Sequence, residues 1–183
     1  MSQTRDFSEL DEANQQLIEH ALAASGRAYA PHSGFAVGAA VRIRHTGSKK
    51  KIITGANLEN ASYPLGICAE VSTIAAAYAS GEFDIEAIAV VGHKFTSPQD
   101  ASQIVRPCGR CRQVIFEASQ VSGVDISVFS CNATLTKIVE EPISKLLPEP
   151  FGPANLGLDK IWPGMRENLA VIVSKLVAAR RKQ

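Results

Sequence analysis

The sequence lacks most of what would tie its 183 residues to a surface. No apolar run reaches the ~18 residues that a membrane span needs, so an integral membrane helix is not expected. Neither sign of charge is in excess: 19 Lys and Arg stand against 18 Asp and Glu, a net charge of +1. A chain so balanced has no strong field to steer it onto nucleic acid or an acidic bilayer. The closing "ARRKQ" reads as a solvated helix end favoured by the helix dipole, not as a nucleic-acid tail. The opening "MSQTRDFSELDEANQQ" is polar where a secretory signal would be apolar, so the cytoplasm is the expected location. There is no internal repeat. Cysteine is scarce, with four in the chain. In a reducing compartment four cysteines argue against a disulfide framework and toward metal binding or catalysis.

What is present is ordinary globular composition, 45% hydrophobic and 20% charged, at a length that suits one domain with a sizeable core. Leu10, Ala13, Leu17, Ala21 and Ala24 recur at helical spacing, so 9–25 reads as an amphipathic helix, with Ser8 as cap and Asp11 as the capping-box acid. "FAVGAAVRIRH" and "KIITGANLE" read as a hairpin joined by the turn "TGSKK". Helices are expected from Cys68 to Ser80, ended near Gly81, and from Cys108 to Ser119. "IEAIAVVGH" is apolar enough for a central strand covered on both faces. "KFTSPQDASQIVR" is a polar excursion, "VDISVFSC" a further strand and "EEPISKLLP" a short helix. Strands alternating with crossover helices imply an α/β or α+β sandwich. Leu169, Ile172, Val173, Leu176 and Val177 share one face of a C-terminal helix over 165–180, expected to dock on the body or on a neighbouring subunit.

Two stretches carry the chemistry. "RPCGRCRQ" gives Cys108 and Cys111 the Cys-x-x-Cys spacing, and "GICAEVSTIAAA" places Cys68 at another helix start. Two helix N-termini aimed at one point can bring three thiolates to one ion, and their dipoles favour that negative charge. Zinc accepts such ligands, and three protein ligands leave a fourth position open for water, the catalytic pattern. A closed structural zinc site with Cys131 or a histidine as fourth ligand is one alternative. A redox dithiol is another, although the Trp that usually precedes that motif is missing. Glu70, two residues past Cys68, is placed to reach a metal-held water without itself binding metal. Alone it would read as a glutamate that complements the helix dipole.

These residues resemble the zinc-dependent cytidine deaminases, whose signature is His/Cys-x-Glu followed by Pro-Cys-x-x-Cys. "YAPHSGFAVGAAV", "GANLENASYPLGICAE" and "LLPEPFGPANL" are similar to further segments of that family, so the resemblance covers about 15–156. It implies a three-layer α/β/α sandwich with a mixed five-stranded sheet, a catalytic domain over 1–156 and an extension over 157–183. It also implies a homotetramer acting on a free nucleoside, with neither nucleic acid nor membrane as partner. One zinc per subunit would sit on Cys68, Cys108 and Cys111. Glu70 would carry protons from the attacking water to N3 and then to the leaving amino group, giving uridine or deoxyuridine in pyrimidine salvage. Asn57 and Glu59 would bind the ribose 3′-hydroxyl. Phe35 and Phe151 would pack on the base, Phe151 from another subunit, although either could serve as core. The Ala69 N–H and the carbonyl of Arg106 or a neighbour would read the base edge.

Two positions depart from the family pattern. Many members with three cysteine ligands carry an arginine after Cys-Ala-Glu, where this chain has Val71. Three thiolates on Zn²⁺ leave an anionic site, which weakens the metal as a Lewis acid. Arg110, or failing it Arg112, is the expected compensating charge. Val71 together with Cys-Gly-Arg-Cys also resembles the blasticidin S deaminase branch, so a modified cytosine nucleoside is an alternative substrate. A non-catalytic zinc module is a further alternative. Gly34 stands where the family usually has Asn.

Overall fold

The computed structural model describes residues 3–44, 51–96 and 102–181. Two compact units divide the chain, Met1–Pro150 and Phe151–Gln183. The first holds one sheet of six strands: β1 (Thr4–Arg5), β2 (Phe35–Ile43), β3 (Ile52–Ala56), β4 (Ile85–Lys94), β5 (Ser127–Cys131) and β6 (Ile138–Pro142). Their order is β1-β6-β5-β4-β2-β3. Only β4 and β5 run parallel among these pairs; the others are antiparallel. The sheet is mixed, as expected, but with six strands in place of five. The added β1 has two residues and forms an edge beside β6, where Arg5 also bonds Glu140.

Helices cover both faces. These are α1 (Glu12–Ser25), α2 (Ala69–Ala79), α3 (Gly109–Ser122) and the single turn α4 (Ile143–Leu146). Leu17, Ile18 and Ala21 of α1 pack against Ala87, Ala89 and Val91 of β4 in one buried cluster. Ile74 of α2 and Ile115 of α3 pack against Ile88 of β4 and Val128 of β5 in another. Successive β4 residues therefore feed opposite cores, which is why that strand reads as a continuous apolar run. Each fully buried Ile or Leu stabilises the sandwich by roughly 1.5–3 kcal/mol.

Several boundaries differ from the sequence reading, for local reasons. The first helix begins at Glu12, because Asp11 is itself the cap and accepts from Asn14 N–H. Residues Phe7–Glu9 form a separate 3₁₀ turn capped by Asp6, with Glu9 as the capping-box acid. β2 and β3 pair as expected, while the turn "TGSKK" and part of the polar excursion lie outside the described residues. Strand β6 occupies part of the stretch read as a short helix, with α4 following at Ile143.

The second unit contains a 3₁₀ turn at Pro153–Leu156 and the helix α5 (Trp162–Arg180), which starts three residues before the expected 165. Leu169, Ile172, Val173, Leu176 and Val177 are between 48% and 64% exposed. Among the described residues, no helix is long and apolar enough to cross a membrane.

Candidate active site

Two helix starts meet in the first unit. Cys68 is the N-cap of α2 and Cys108 the N-cap of α3, both in extended backbone. Pro107 precedes Cys108, and proline holds the residue before it out of the helical region, so α3 starts beyond it. Cys111 lies in the first turn of α3 and is fully buried. The α2 start is pinned on β3 by Gly55. A Cβ there would sit 2.5 Å from Ser72 Oγ and 2.7 Å from Thr73 N. Ser72 Oγ in turn donates to Ala56 O at 2.9 Å, and Thr73 Oγ1 to Ala69 O at 2.7 Å.

The three thiols fit one tetrahedral ion. Zinc–sulfur bonds of ~2.3 Å in a tetrahedron put sulfurs ~3.8 Å apart. Here Cys108 and Cys111 Sγ are 3.5 Å apart and Cys68 and Cys108 Sγ 4.0 Å. All three lie within 4.8 Å of one another. The Cys68 thiol is brought down to about 6, first by hydrogen bonding from Cys111, with the Arg110 charge also contributing. Cys111 moves the other way and keeps its proton, above all through its bond to Cys68. A soft, partly ionised three-thiol set suits zinc. Cys131 is the fourth cysteine, fully buried at the end of β5, and burial pushes its thiol up to about 12. It sits in the cluster packed against α1, as a core residue.

Glu70 is 4% exposed on the first turn of α2. Burial pushes its carboxyl up, and the Cys68 charge adds to the effect. It lines a cleft of about 310 Å³ with Cys68 and Cys108. Ala69, Asn57, Glu59 and Arg106 line the same cleft, so five expected site residues flank the thiols. Val37, Leu58, Ile67 and Val105 supply apolar wall. The sequence reading missed these four. The period-2 pattern of β2 could have flagged Val37, but nothing local marks the others.

The remaining candidates are placed as follows. Asn57 spans the end of the β2–β3 ladder: its Oδ1 accepts from Val37 N–H at 2.8 Å and its Nδ2 donates to Phe35 O at 3.0 Å. Glu59 Oε2 accepts from His32 N–H at 2.8 Å and Ser33 N–H at 3.2 Å. Hydrogen bonding from the Ser33 side chain, together with these N–H groups, holds its carboxyl below the usual range. The Phe35 ring packs against β4 at Gly92, where a Cβ would meet its Cε1 at 2.9 Å. Phe151 belongs to the second unit and is 62% exposed. Arg110 Nη1 donates to Gly66 O at 3.3 Å, tying α3 to the segment before Cys68. Arg112 donates to Pro107 O at 3.0 Å and Leu146 O at 2.9 Å, so its guanidinium is engaged by backbone carbonyls. Gly34 has φ +62°. That left-handed region is open to Gly and, with little strain, Asn, so exchanging the two is conformationally mild.

The family model for the cytidine and deoxycytidylate deaminase zinc-binding region matches residues 11–127, a span that includes all three clustered cysteines and Glu70. The chain belongs to this family. The cytidine deaminase of Halalkalibacterium halodurans is 42% identical over 137 residues, covering 75% of this chain and 92% of that protein. The cytidine deaminase of Sporosarcina psychrophila is 35% identical over 142 residues, covering 78% and 93%. The crystal structure of cytidine deaminase from Burkholderia pseudomallei matches with a TM-score of 0.62 at 34% identity, covering 78% of this chain and all of that one. Membership of a zinc-binding deaminase family agrees with the thiol geometry: Cys68, Cys108 and Cys111 could hold a zinc ion.

Proposed function

We propose that this protein hydrolyses cytidine and deoxycytidine to uridine and deoxyuridine with release of ammonia, as an enzyme of pyrimidine salvage. One observation carries the reading: a buried carboxyl, Glu70, stands in a cleft beside three convergent thiols. Cys68, Cys108 and Cys111 would hold one zinc ion per subunit, and that ion would acidify a bound water so that it can act as the nucleophile. Glu70 takes the proton of that water and delivers it to pyrimidine N3 as the oxygen adds at C4. It then passes a second proton to the 4-amino group, which leaves as ammonia. A carboxyl raised by burial holds a proton more firmly than an exposed one, which suits it to both taking and giving one.

The cleft walls select the substrate in this reading. Glu59, its carboxyl held below the usual range by Ser33 and His32, accepts from the ribose 3′-hydroxyl, and the second Asn57 amide hydrogen donates to it. A polynucleotide has that oxygen esterified, so the substrate is a free nucleoside, in keeping with the near-neutral charge. The Ala69 N–H and the Arg106 carbonyl read the base edge. Phe35 supports Asn57 from β2, and Phe151 packs on the base from a neighbouring subunit. Arg110 supplies the positive charge absent at Val71, supported by its influence on Cys68. Arg110→Ala should weaken zinc binding and turnover; unchanged values of both would remove it from this role. The catalytic domain spans 1–156 in a cytoplasmic homotetramer, with 157–183 an extension whose exposed α5 side chains suit an assembly contact.

A second reading, a modified cytosine nucleoside such as blasticidin S as substrate, is favoured by Val71 with Arg110 inside Cys-Gly-Arg-Cys. Purified protein with measured zinc should be offered cytidine, deoxycytidine, cytosine, adenosine and blasticidin S, following ultraviolet absorbance. Turnover of the two simple nucleosides supports salvage. Turnover of blasticidin S alone supports the second reading. Bound zinc with no reaction on the panel leaves a structural module.

A further inference from the structure

Part of the cleft wall that Glu70 also lines is built from irregular chain. Residues 104–108 lie in neither helix nor strand, yet they carry Val105 and Arg106 on the cleft wall and end at Cys108. Among the described residues, few backbone hydrogen bonds tie this segment to the rest of the fold. Val105 N–H donates to Cys131 O at 3.1 Å, and Pro107 has no N–H to give. Pro107 O is held by Arg112. Between those two points the tie is a side chain: Arg106 Nη1 donates to Glu141 Oε2 at 2.5 Å.

Glu141 is an unusual anchor. It sits on β6 with its Cα opposite Val128, and the residue is 6% exposed. Its other oxygen pairs with Lys145 Nζ at 3.2 Å, one turn along in α4. A carboxylate this buried must stay paired, so it holds the more exposed Arg106 in one place. Arginine presents its donors in a rigid fork, which makes the hold directional.

We propose that Glu141 is a positioning residue for deamination: through Arg106 it fixes the Val105–Pro107 edge against which the substrate base lies. The proposal rests on the cytidine reading above. Glu141 touches no substrate; it acts through the placement of the backbone at Arg106. The zinc ligands have independent supports in the α2 and α3 starts, so the effect of breaking the clamp falls on substrate binding and not on metal retention.

The test is a double-mutant cycle on the zinc-loaded full chain, with KM and kcat for cytidine and zinc content measured for each variant. Glu141→Gln and Arg106→Met should each raise KM about tenfold, change kcat by less, and retain full zinc. The double variant should be no worse than either single one, because both break the same tie. Lys145→Met removes another partner of Glu141 but leaves the tie to the segment, and its KM should stay within twofold of the wild type. Arg106→Lys should recover part of the KM loss. Nucleoside affinity by calorimetry in the Glu70→Gln background should shift in parallel, independently of turnover. If Glu141→Gln does not fold, Arg106→Met and Arg106→Lys carry the test, since Arg106 is the exposed partner. Additive effects, an unchanged KM in Arg106→Met, or an equal rise in Lys145→Met would each overturn the clamp. An inactive wild-type enzyme would instead bring down the cytidine reading.

Discussion

Gly55→Ala is a small change on a strand that carries no thiol, and the structure makes it costly. The added methyl would stand 2.5 Å from Ser72 Oγ, 2.6 Å from Thr73 Oγ1 and 2.7 Å from Thr73 N. Side-chain oxygens can rotate away, but Thr73 N is backbone within the first turns of α2. To reach an ordinary carbon contact of ~3.5 Å, that helix start must lift by about 0.8 Å. Thr73 Oγ1 also bonds Ala39 O at 3.2 Å, a link from α2 to β2 that the lift would stretch. Overpacking of this kind costs about 1–3 kcal/mol, and a weakened buried hydrogen bond adds about 1 kcal/mol. For a chain of 183 residues, a loss of that size lowers Tm by roughly 4–16 °C. The same lift carries Cys68 and Glu70 with it. A displacement near 1 Å can cost about 100-fold in rate, so kcat for cytidine should fall about 10- to 100-fold. Thermal unfolding and steady-state kinetics on the zinc-loaded variant give both numbers. A variant with wild-type Tm and wild-type kcat would refute the claim that contact with β3 sets the position of the α2 start.

Three further outcomes follow from local geometry. Gly34→Asn should leave Tm within about 1 °C, whereas Gly34→Val should cost roughly 1–2 kcal/mol in chemical denaturation, because φ +62° disfavours a branched side chain although space there is open. Stability should fall between about pH 9 and pH 12: the folded Cys131 thiol is raised to about 12 from 9.0, so the unfolded chain loses this proton first and unfolding is favoured by up to about 1.4 kcal/mol per unit. Urea titrations across that range should lose this slope in Cys131→Ala. Iodoacetamide at pH 8 should label Cys68 and Cys108 after metal removal by a chelator, spare both when zinc is bound, and spare buried Cys131 in either state until the chain unfolds; peptide mapping distinguishes these sites.

The chemistry was legible because it sits at helix starts. Cys68 and Cys108 each stand directly before a run of helix formers, and Pro107 marks where α3 cannot begin earlier. The Cys-x-x-Cys spacing puts Cys108 and Cys111 together locally, whereas the approach of Cys68 across 40 positions depends on the tertiary fold and was expected from the family resemblance. The β2–β3 hairpin and β4 were legible for a related reason: their apolar patterns match the faces they bury. Strand β6 was hidden because Ile138–Pro142 carries two glutamates and ends in proline. Glu141 is buried and pairs with Arg106 and Lys145, and the link to Arg106 spans 35 positions. Asn57 illustrates the same gap: its turn-like sequence gives no sign that its amide closes a ladder with Phe35 and Val37. Long-range pairing of polar groups leaves no periodic trace in sequence, so the walls and struts of the cleft emerged only with the fold.

The central claim is that Glu70 moves the protons of cytidine hydrolysis beside a zinc ion held by three cysteines. Its most direct test is cytidine turnover by wild type and Glu70→Gln, each with bound zinc quantified in the same sample. The account predicts an active wild type, and a Glu70→Gln protein that keeps one zinc per chain while kcat falls about 100- to 10,000-fold. Glu70→Gln turning over cytidine at the wild-type rate, or a zinc-replete wild type with no turnover, would contradict it.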